Sequence, residues 1–189
     1  MRKLVVSEFM SLDGVMEDPG GDGSSSFGGW TRPYGGERFM KFKFDELMAS
    51  EALLLGRITY EGFAKAWPNI TGTGEFGERM NSIKKFVATT TLTSPEWQNS
   101  ERIAGDVAES ARKLKQLPGK DILVAGSANL LQTLIKHKLV DEYRVMLYPV
   151  VLGEGKKLFK DSVTANLELV ECEDFGTGVV LLTYRPSGR

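Results

Sequence analysis

The sequence has almost none of the residues that cross-link a fold or hold a zinc ion. Its 189 residues include one cysteine, Cys172, and one histidine, His137. A single cysteine cannot form a disulfide within the chain, and it favours a reducing compartment such as the cytoplasm. One cysteine and one histidine are too few for a zinc site of the Cys/His type. Disulfide-rich scaffolds and Cys/His zinc modules are therefore excluded, and no metal is expected.

The sequence also lacks an excess of charge and a long apolar run. Its 24 basic and 25 acidic residues give a formal net charge of -1, which provides no electrostatic basis for binding nucleic acid. No stretch of about 18 apolar residues could span a membrane, and the N-terminal apolar segment is too short for a signal peptide. We expect a soluble, cytoplasmic protein. Its length predicts one domain over residues 1–189, because domains usually hold about 100–200 residues.

Glycine is the residue in excess, at 21 of 189 positions, against a usual share of about 7%. Many glycines cluster in residues 14–36 and 72–77. Such clusters predict loops, or places where the backbone approaches another group closely. The first cluster belongs to a predicted loop over residues 11–36. Loops this long in compact domains are usually functional lids or disordered segments.

The order of apolar segments predicts an α/β fold. Strands alternate with amphipathic helices through the first two thirds of the chain, whereas the last third holds strands without a comparable helix. This order predicts a mostly parallel sheet with helices on both faces and antiparallel C-terminal strands. Predicted strands cover residues 3–10, 52–55, 84–91, 121–126, 141–153, 166–176 and 179–186, and predicted helices cover 37–50, 57–67, 106–117 and 127–139.

Three junctions at the carboxyl ends of predicted strands carry groups suited to phosphate. Sheets of this class bind ligands at those ends, where helix N-termini also point. Gly56 and Gly126 would let the backbone come close to a ligand, and Arg57 offers a planar fork of donors. The hydroxyls of residues 89–91 add neutral donors and acceptors. Together the junctions predict a site for the phosphates of a dinucleotide, whereas each one alone is also typical of an ordinary turn or strand end.

Five segments of the sequence resemble segments of a known family and occur in the same order as they do there. They are similar to the reductase domain at the C-terminal end of the bifunctional riboflavin-biosynthesis deaminase-reductase, the RibD C-terminal family, over about residues 3–184. That family shares its fold with dihydrofolate reductase, so the resemblance implies a three-layer α/β/α fold. The segments are SLDG (11–14), LLLGRITYEGF (53–63), FVATTTL (86–92), ILVAGSANLLQTLI (122–135) and VDEYRVMLYPVVLGEGKKLF (140–159).

The resemblance implies an oxidoreductase that transfers a hydride from NADPH to a small heterocyclic molecule, like the 5-amino-6-(5-phosphoribosylamino)uracil reductase of riboflavin biosynthesis. Arg57 also suits the 2′-phosphate that distinguishes NADPH from NADH. The resemblance implies three groups of cofactor-binding residues. They are Gly56, Arg57 and Thr59 at the phosphates, Thr89, Thr90 and Thr91 at the adenosine ribose and its 2′-phosphate, and Gly126, Ser127, Ala128, Asn129 and Leu130 at the pyrophosphate.

The substrate is expected between the first strand, the long loop and the first helix. Asp13 is the best-placed carboxylate there, as a substrate contact and as a proton donor beside water, although an Asp-Gly pair is also typical of a turn. Trp30 and Tyr34 could stack on a planar heterocycle or cover the core, and Tyr148 could close the far side. In this scheme the cofactor supplies the chemistry, and the protein supplies orientation and excludes water.

Two departures from the related families leave other functions open. The third junction has one glycine where the riboflavin enzyme usually has two. The helix over 37–50 has no acid at the distance at which dihydrofolate reductase holds its pterin, and the nearest acids, Glu37 and Asp45, are expected to be solvated. The alternatives are a dihydrofolate reductase-type enzyme, a flavin in place of NADPH, and a catalytically silent nucleotide-binding module.

The apolar C-terminal strands predict a homodimer, of a symmetry that the sequence does not specify.

Overall fold

A computed structural model of the chain describes residues 1–23, 25–160 and 163–188. The strands within these residues are β1 (Leu4–Ser11), β2 (Ala52–Gly56), β3 (Lys84–Ala88), β4 (Ser100–Ile103), β5 (Ile122–Val124), β6 (Glu142–Tyr148), β7 (Leu167–Asp174) and β8 (Val180–Pro186). The helices are α1 (Glu37–Ala49), α2 (Arg57–Ala66), α3 (Gly74–Ser82), α4 (Val107–Gln116) and α5 (Ala128–Lys136), with short 3-10 turns at Arg32–Tyr34 and Trp67–Asn69.

The described strands form one sheet in the order β4-β3-β2-β5-β1-β6-β8-β7. The strands β1 to β6 pair in parallel, and β8 and β7 add antiparallel strands at one edge. β5 lies between β1 and β2, so Ile122 pairs with Leu4 on one side and with Ala52 on the other. The prediction of a mostly parallel sheet with antiparallel C-terminal strands is confirmed.

Helices cover both faces of the sheet and complete the three layers. In β2, Leu54 packs in a core cluster with residues of α4 and α5, whereas Leu53 and Leu55 pack in a second cluster with residues of α1, α2 and α3. All three leucines are at most 1% exposed. A strand buried on both faces needs a continuous apolar run rather than an alternating one, and this explains the sequence ALLL. Burial of each leucine contributes roughly 1.5–3 kcal/mol.

Two elements and several strand ends differ from the prediction; β6, for example, ends at Tyr148 and not at residue 153. α3 begins inside the glycine cluster over 72–77, because Phe76 and Met80 lie one turn apart and both pack on the second core cluster. β4 has the polar sequence SERI and lies at the sheet edge, where burial selects less strongly for apolar residues. β3 ends at Ala88, so residues 89–91 form a turn and do not extend the strand.

The described part of the chain contains no helix with the length and apolar character that a membrane crossing needs. Within the same residues, no three or more His, Cys, Asp or Glu side chains are grouped so that they could hold a metal ion. Cys172 is a free, exposed thiol on β7.

Candidate functional site

Two glycine-containing turns meet at the carboxyl edge of the parallel sheet, where β2 and β5 lie side by side. The N–H of Gly56 donates to the carbonyl of Gly126 at 3.1 Å. A Cβ on Gly56 would lie 2.2 Å from Ser127 Oγ, and one on Gly126 would lie 2.6 Å from Thr59 Oγ1. Gly126 also has a φ of +78°, which favours glycine. The structure therefore brings the first and third predicted junctions into contact.

Two helices begin at these turns without a capping side chain. α2 begins at Arg57 and α5 at Ala128, and neither N-cap residue, Gly56 or Ser127, makes a side-chain capping bond in the described structure. The Ser127 hydroxyl lies against the backbone of Gly56 and does not cap α5. The N–H groups of both first turns are thus available to an anion at the positive ends of the helix dipoles.

The second predicted junction lies beside the first, because Ala88 at the end of β3 pairs with Gly56 at the end of β2. Thr89 is 8% exposed, and its Oγ1 accepts the N–H groups of Thr91 at 3.2 Å and Leu92 at 3.0 Å. Its hydroxyl therefore closes the turn. Thr90 and Thr91 are exposed, and their hydroxyls can reach a ligand.

Arg57 stands at the start of α2 with its side chain 42% exposed. Its Nη1 lies 2.8 Å from Oε2 of Glu61, one helical turn along. Exposed ion pairs of this kind contribute about 0–1 kcal/mol. A phosphate can therefore displace Glu61 at little cost.

The remaining predicted residues of the third junction differ in exposure. Ala128 and Leu130 are 6% and 5% exposed and belong to the core. They can reach a ligand only through their backbone N–H groups. Asn129 lies between them with an exposed side chain.

One buried carboxyl at this site was not identified from the sequence. Glu8 on β1 is 8% exposed, and its Oε1 accepts a hydrogen bond from the N–H of Gly126. Burial raises the pKa of Glu8 from 4.5 to about 8, opposed by the Gly126 hydrogen bond and by Lys43. Glu8 is therefore mainly neutral near neutral pH. The available signal was an acid inside the apolar run LVVSEFM, between core-facing Val6 and Met10.

Asp13 connects two loops on the substrate side. Its Oδ1 accepts the Ser11 hydroxyl at 2.6 Å and the N–H of Leu152 at 3.2 Å, and its Oδ2 accepts the N–H of Gly153 at 2.7 Å. The Ser11 hydroxyl first, and then these backbone groups, lower the pKa of Asp13 from 3.8 to about 2. An ionised carboxylate has no proton to give, so this geometry does not support Asp13 as the proton donor and favours its turn-forming role.

Aromatic side chains fill the space between the loop over residues 11–36, α1 and β6. Tyr148 is 2% exposed, and its ring centroid lies 5.7, 5.3 and 5.8 Å from those of Phe9, Trp30 and Tyr34. Trp30 is 7% exposed, and its Nε1 donates to the carbonyl of Glu17 at 2.9 Å. Burial raises the pKa of Tyr148. Trp30 and Tyr148 thus belong to the core, and Tyr34 is half-buried at its rim.

A second buried acid lies on α1, next to the predicted Asp45. Glu37 and Asp45 are both exposed, as expected. Glu46 is 4% exposed, accepts the Ser7 hydroxyl at 2.8 Å and lies 3.1 Å from Nη1 of Arg144. It borders a cavity of about 510 Å³ between α1 and the strands β6, β8 and β7. Helical periodicity alone could not show that position 46 faces the sheet, since α1 is only weakly amphipathic.

The family of the chain follows from a comparison of its sequence with known domains. A model of the RibD C-terminal domain matches residues 2–181. The chain belongs to the RibD C-terminal domain family. The uncharacterized protein YyaP of Bacillus subtilis (strain 168) is 32% identical over 192 residues, which cover 99% of this chain and 96% of YyaP.

Solved structures similar to this RibD C-terminal domain include two reductases. The diaminohydroxyphosphoribosylaminopyrimidine deaminase/5-amino-6-(5-phosphoribosylamino)uracil reductase of Thermotoga maritima matches with a TM-score of 0.67 and 16% identity, over 98% of this chain and 57% of that chain. Dihydrofolate reductase of Enterococcus faecalis, complexed with NADP(H), matches with a TM-score of 0.60 and 16% identity, over 98% and 96%. At these identities the likeness shows the fold, and the predicted dihydrofolate reductase-like fold is confirmed.

Proposed function

We propose that this protein is an NADPH-dependent reductase that transfers a hydride to a small heterocyclic molecule of the pyrimidine type. The observation that carries the proposal is the contact between two glycine turns from which α2 and α5 begin without capping side chains. Such an arrangement suits a diphosphate. Family membership supports the reaction class, since the similar Thermotoga maritima structure is a 5-amino-6-(5-phosphoribosylamino)uracil reductase and the Enterococcus faecalis enzyme is complexed with NADP(H).

The residues at the turns fit NADPH. A Cβ on Gly56 would clash with Ser127 Oγ at 2.2 Å, and one on Gly126 with Thr59 Oγ1 at 2.6 Å, so only glycine at these positions lets the two turns and the start of α2 come this close. Arg57, with Thr90 and Thr91 beside it, is suited to the ribose and its 2′-phosphate. NADPH supplies the hydride when it is bound. The proposed cofactor-binding residues are Gly56, Arg57, Thr59, Thr89, Thr90, Thr91, Gly126, Ser127, Ala128, Asn129 and Leu130.

On the substrate side, the residues of this chain orient and enclose the substrate. Tyr34, at the rim, stacks on the heterocycle, while Trp30 and Tyr148 support it from the core. Asp13 shapes this side by holding the loop at Leu152. The proton comes from water, because Asp13 is ionised. Exclusion of other water from the substrate side would preserve the orientation of the reacting groups.

Calorimetric titration followed by turnover assays tests the proposal. We expect heat of binding with NADPH, weaker binding of NADH, and NADPH oxidation with a pyrimidine-ribityl acceptor but not with dihydrofolate. Quinone-type and pterin acceptors serve as comparisons, and inhibition by an antifolate would favour a dihydrofolate reductase-type enzyme instead. A yellow preparation would indicate a flavin. The absence of heat with either coenzyme would exclude the proposed function.

A catalytically silent nucleotide-binding module is the second candidate. The observation that favours it is the close packing of Phe9 and Trp30 on Tyr148, which fills the expected substrate space. NADPH binding without oxidation by any acceptor would support this alternative. Oxidation with one acceptor would exclude it.

The proposal also covers assembly and location. We propose one reductase domain over residues 1–189 that acts in the cytoplasm as a homodimer. Support for a dimer comes from β7, where Leu169 and Val170 are 51% and 46% exposed. An apolar cavity of about 260 Å³ beside β6, β8 and β7, lined partly by Leu167, Leu182 and Tyr184, could receive side chains of a second copy.

A further inference from the structure

We propose that Glu8 is a positioning residue that couples cofactor binding to proton uptake, because it holds the Gly126 turn and admits the anionic cofactor only when its carboxyl is neutral. This inference rests on the proposed function, since it concerns the same cofactor. It adds a residue and a pH dependence that the cofactor-binding turns alone do not imply.

Both backbone polar groups of Gly126 are engaged by the protein. Its N–H donates to Oε1 of Glu8, and its carbonyl accepts the N–H of Gly56 at 3.1 Å. With Thr59 Oγ1 against its Cα, the turn has little room to move. Glu8 therefore fixes the backbone from which α5 begins. Protonation of Glu8 at Oε2 leaves the hydrogen bond at Oε1 in place.

The charge state of Glu8 matters because the proposed diphosphate lies at the same turn. An ionised Glu8 would place a negative charge beside the two helix N-termini, and buried charges are poorly screened by salt. Burial already raises the pKa of Glu8 to about 8, so the neutral form dominates near neutral pH. An anion bound at the turn raises this pKa further. Binding at higher pH must therefore take up a proton.

The charged groups around this carboxyl come from the elements packed against β1 and from α2. From α1, Lys43 favours its ionised form and Glu46 opposes it. On the neighbouring strand β6, Arg144 is bound to Glu46 at 3.1 Å. α5 and the turn before it contribute no charged side chain up to Ile135. On α2, Arg57 is paired with an acid of its own helix.

Calorimetry with NADPH in two buffers of different ionisation enthalpy, from about pH 7 to about pH 9, measures the proton uptake and the affinity together. This range avoids the second ionisation of the 2′-phosphate, near pH 6. We expect the wild type to take up a proton on binding and to lose affinity on the order of tenfold across the range. Glu8→Gln should show neither effect, because an amide accepts the Gly126 hydrogen bond without a charge. Glu168→Gln, an exposed acid on β7, should match the wild type.

Each outcome decides between the proposals. If NADPH binds to wild type and Glu8→Gln with the same pH dependence and the same proton uptake, the coupling role is wrong and the proposed function stands. If NADPH produces no heat with any protein, both proposals fall. Should Glu8→Gln fail to fold, the wild type alone decides, since binding without proton uptake at about pH 9 would overturn the inference.

Discussion

At the scale of single residues, Gly56 and Gly62 lie close in sequence but would place a methyl group in different surroundings. At Gly56 a Cβ would lie 2.2 Å from Ser127 Oγ and 3.0 Å from its backbone nitrogen. At Gly62, inside α2, the nearest atom would be an oxygen of Asp22 at 4.0 Å. We expect Gly56→Ala to destabilise the protein by roughly 1–3 kcal/mol and to weaken NADPH binding by displacing the turn.

Gly62→Ala is the matched control. It should stabilise the protein by up to about 1 kcal/mol, because alanine is the better helix former, and it should leave NADPH binding unchanged. Urea unfolding and calorimetry measure the two effects. If Gly56→Ala and Gly62→Ala had the same stability and the same NADPH affinity, the close contact between the two turns would not be required for either property.

Arg57 is the residue on which cofactor preference should depend. Hydrogen bonds to charged groups contribute about 1.5–3 kcal/mol, so we expect Arg57→Ala to weaken NADPH binding about 10- to 100-fold. The loss for NADH should be smaller, because NADH has no 2′-phosphate. Dissociation constants for both coenzymes, measured by calorimetry at low and high salt, test this.

Glu61→Gln provides the control for Arg57. It removes the ion pair at 2.8 Å but keeps the guanidinium, so NADPH should bind as well or better. If Glu61→Gln weakened binding as much as Arg57→Ala, the ion pair itself would be required, and Arg57 would act by holding α2 in place.

Glu8 should also make the stability of the free protein depend on pH. Its pKa is raised from 4.5 to about 8 on folding, so between these values the folded state holds more protons than the unfolded state. The contribution of Glu8 to the free energy of unfolding is therefore fully present below its unfolded pKa. It is lost as pH rises through its folded pKa, by at most about 1.4 kcal/mol per pH unit. Urea midpoints of wild type and Glu8→Gln should diverge over this range. Parallel curves would contradict the buried, neutral carboxyl.

At the scale of elements, Asp13 joins the turn after β1 to the loop after β6. Asp13→Ala removes three acceptor bonds, to Ser11, Leu152 and Gly153. We expect a loss of roughly 1 kcal/mol, since the site is partly exposed, and faster hydrogen exchange at the amides of Leu152 and Gly153. Glu154→Ala, an exposed neighbour in the same loop, is the control. Unchanged exchange in Asp13→Ala would show that the loops hold together without this carboxylate.

The elements differ in how far the sequence predicts them. β2 was predictable because a short, continuous apolar run is typical of a strand that is buried on both faces. α3 was not, since Gly74 and Gly77 suggest a loop, and the packing of Met80 that overrides them depends on a sheet that local sequence does not describe. Local sequence also does not show that the hydroxyl of Thr89 closes the turn after β3 by accepting two backbone N–H groups.

At the scale of the whole molecule, the candidate site was only partly predictable. The rule that ligands bind at the carboxyl ends of parallel strands was enough to bring the glycine junctions together. The contact between Glu8 and Gly126 was not predictable, because it joins residues 118 positions apart through the pairing of β1 with β5. The sequence around Glu8 does not indicate a contact with Gly126, and the sequence around Gly126 does not indicate one with Glu8.

Assembly is the prediction that belongs to the molecule as a whole. We expect sedimentation equilibrium to show a homodimer, because β7 exposes Leu169 and Val170 and an apolar cavity lies beside β6, β8 and β7. Leu182→Glu should give a folded monomer. Val151→Glu, at a side chain 69% exposed in a loop, should leave the dimer intact. A wild-type monomer at high concentration would contradict the prediction.

The place of β5 in the sheet has a consequence for biosynthesis. β5 joins β1 to β2, yet it comes from residues 122–124, about two thirds of the way along the chain. A nascent polypeptide that has not yet left the ribosome beyond this point has both neighbours but not the strand between them. Such distant pairings slow folding. We therefore expect no coenzyme groove on early translation intermediates, and a need for chaperone protection until β5 emerges.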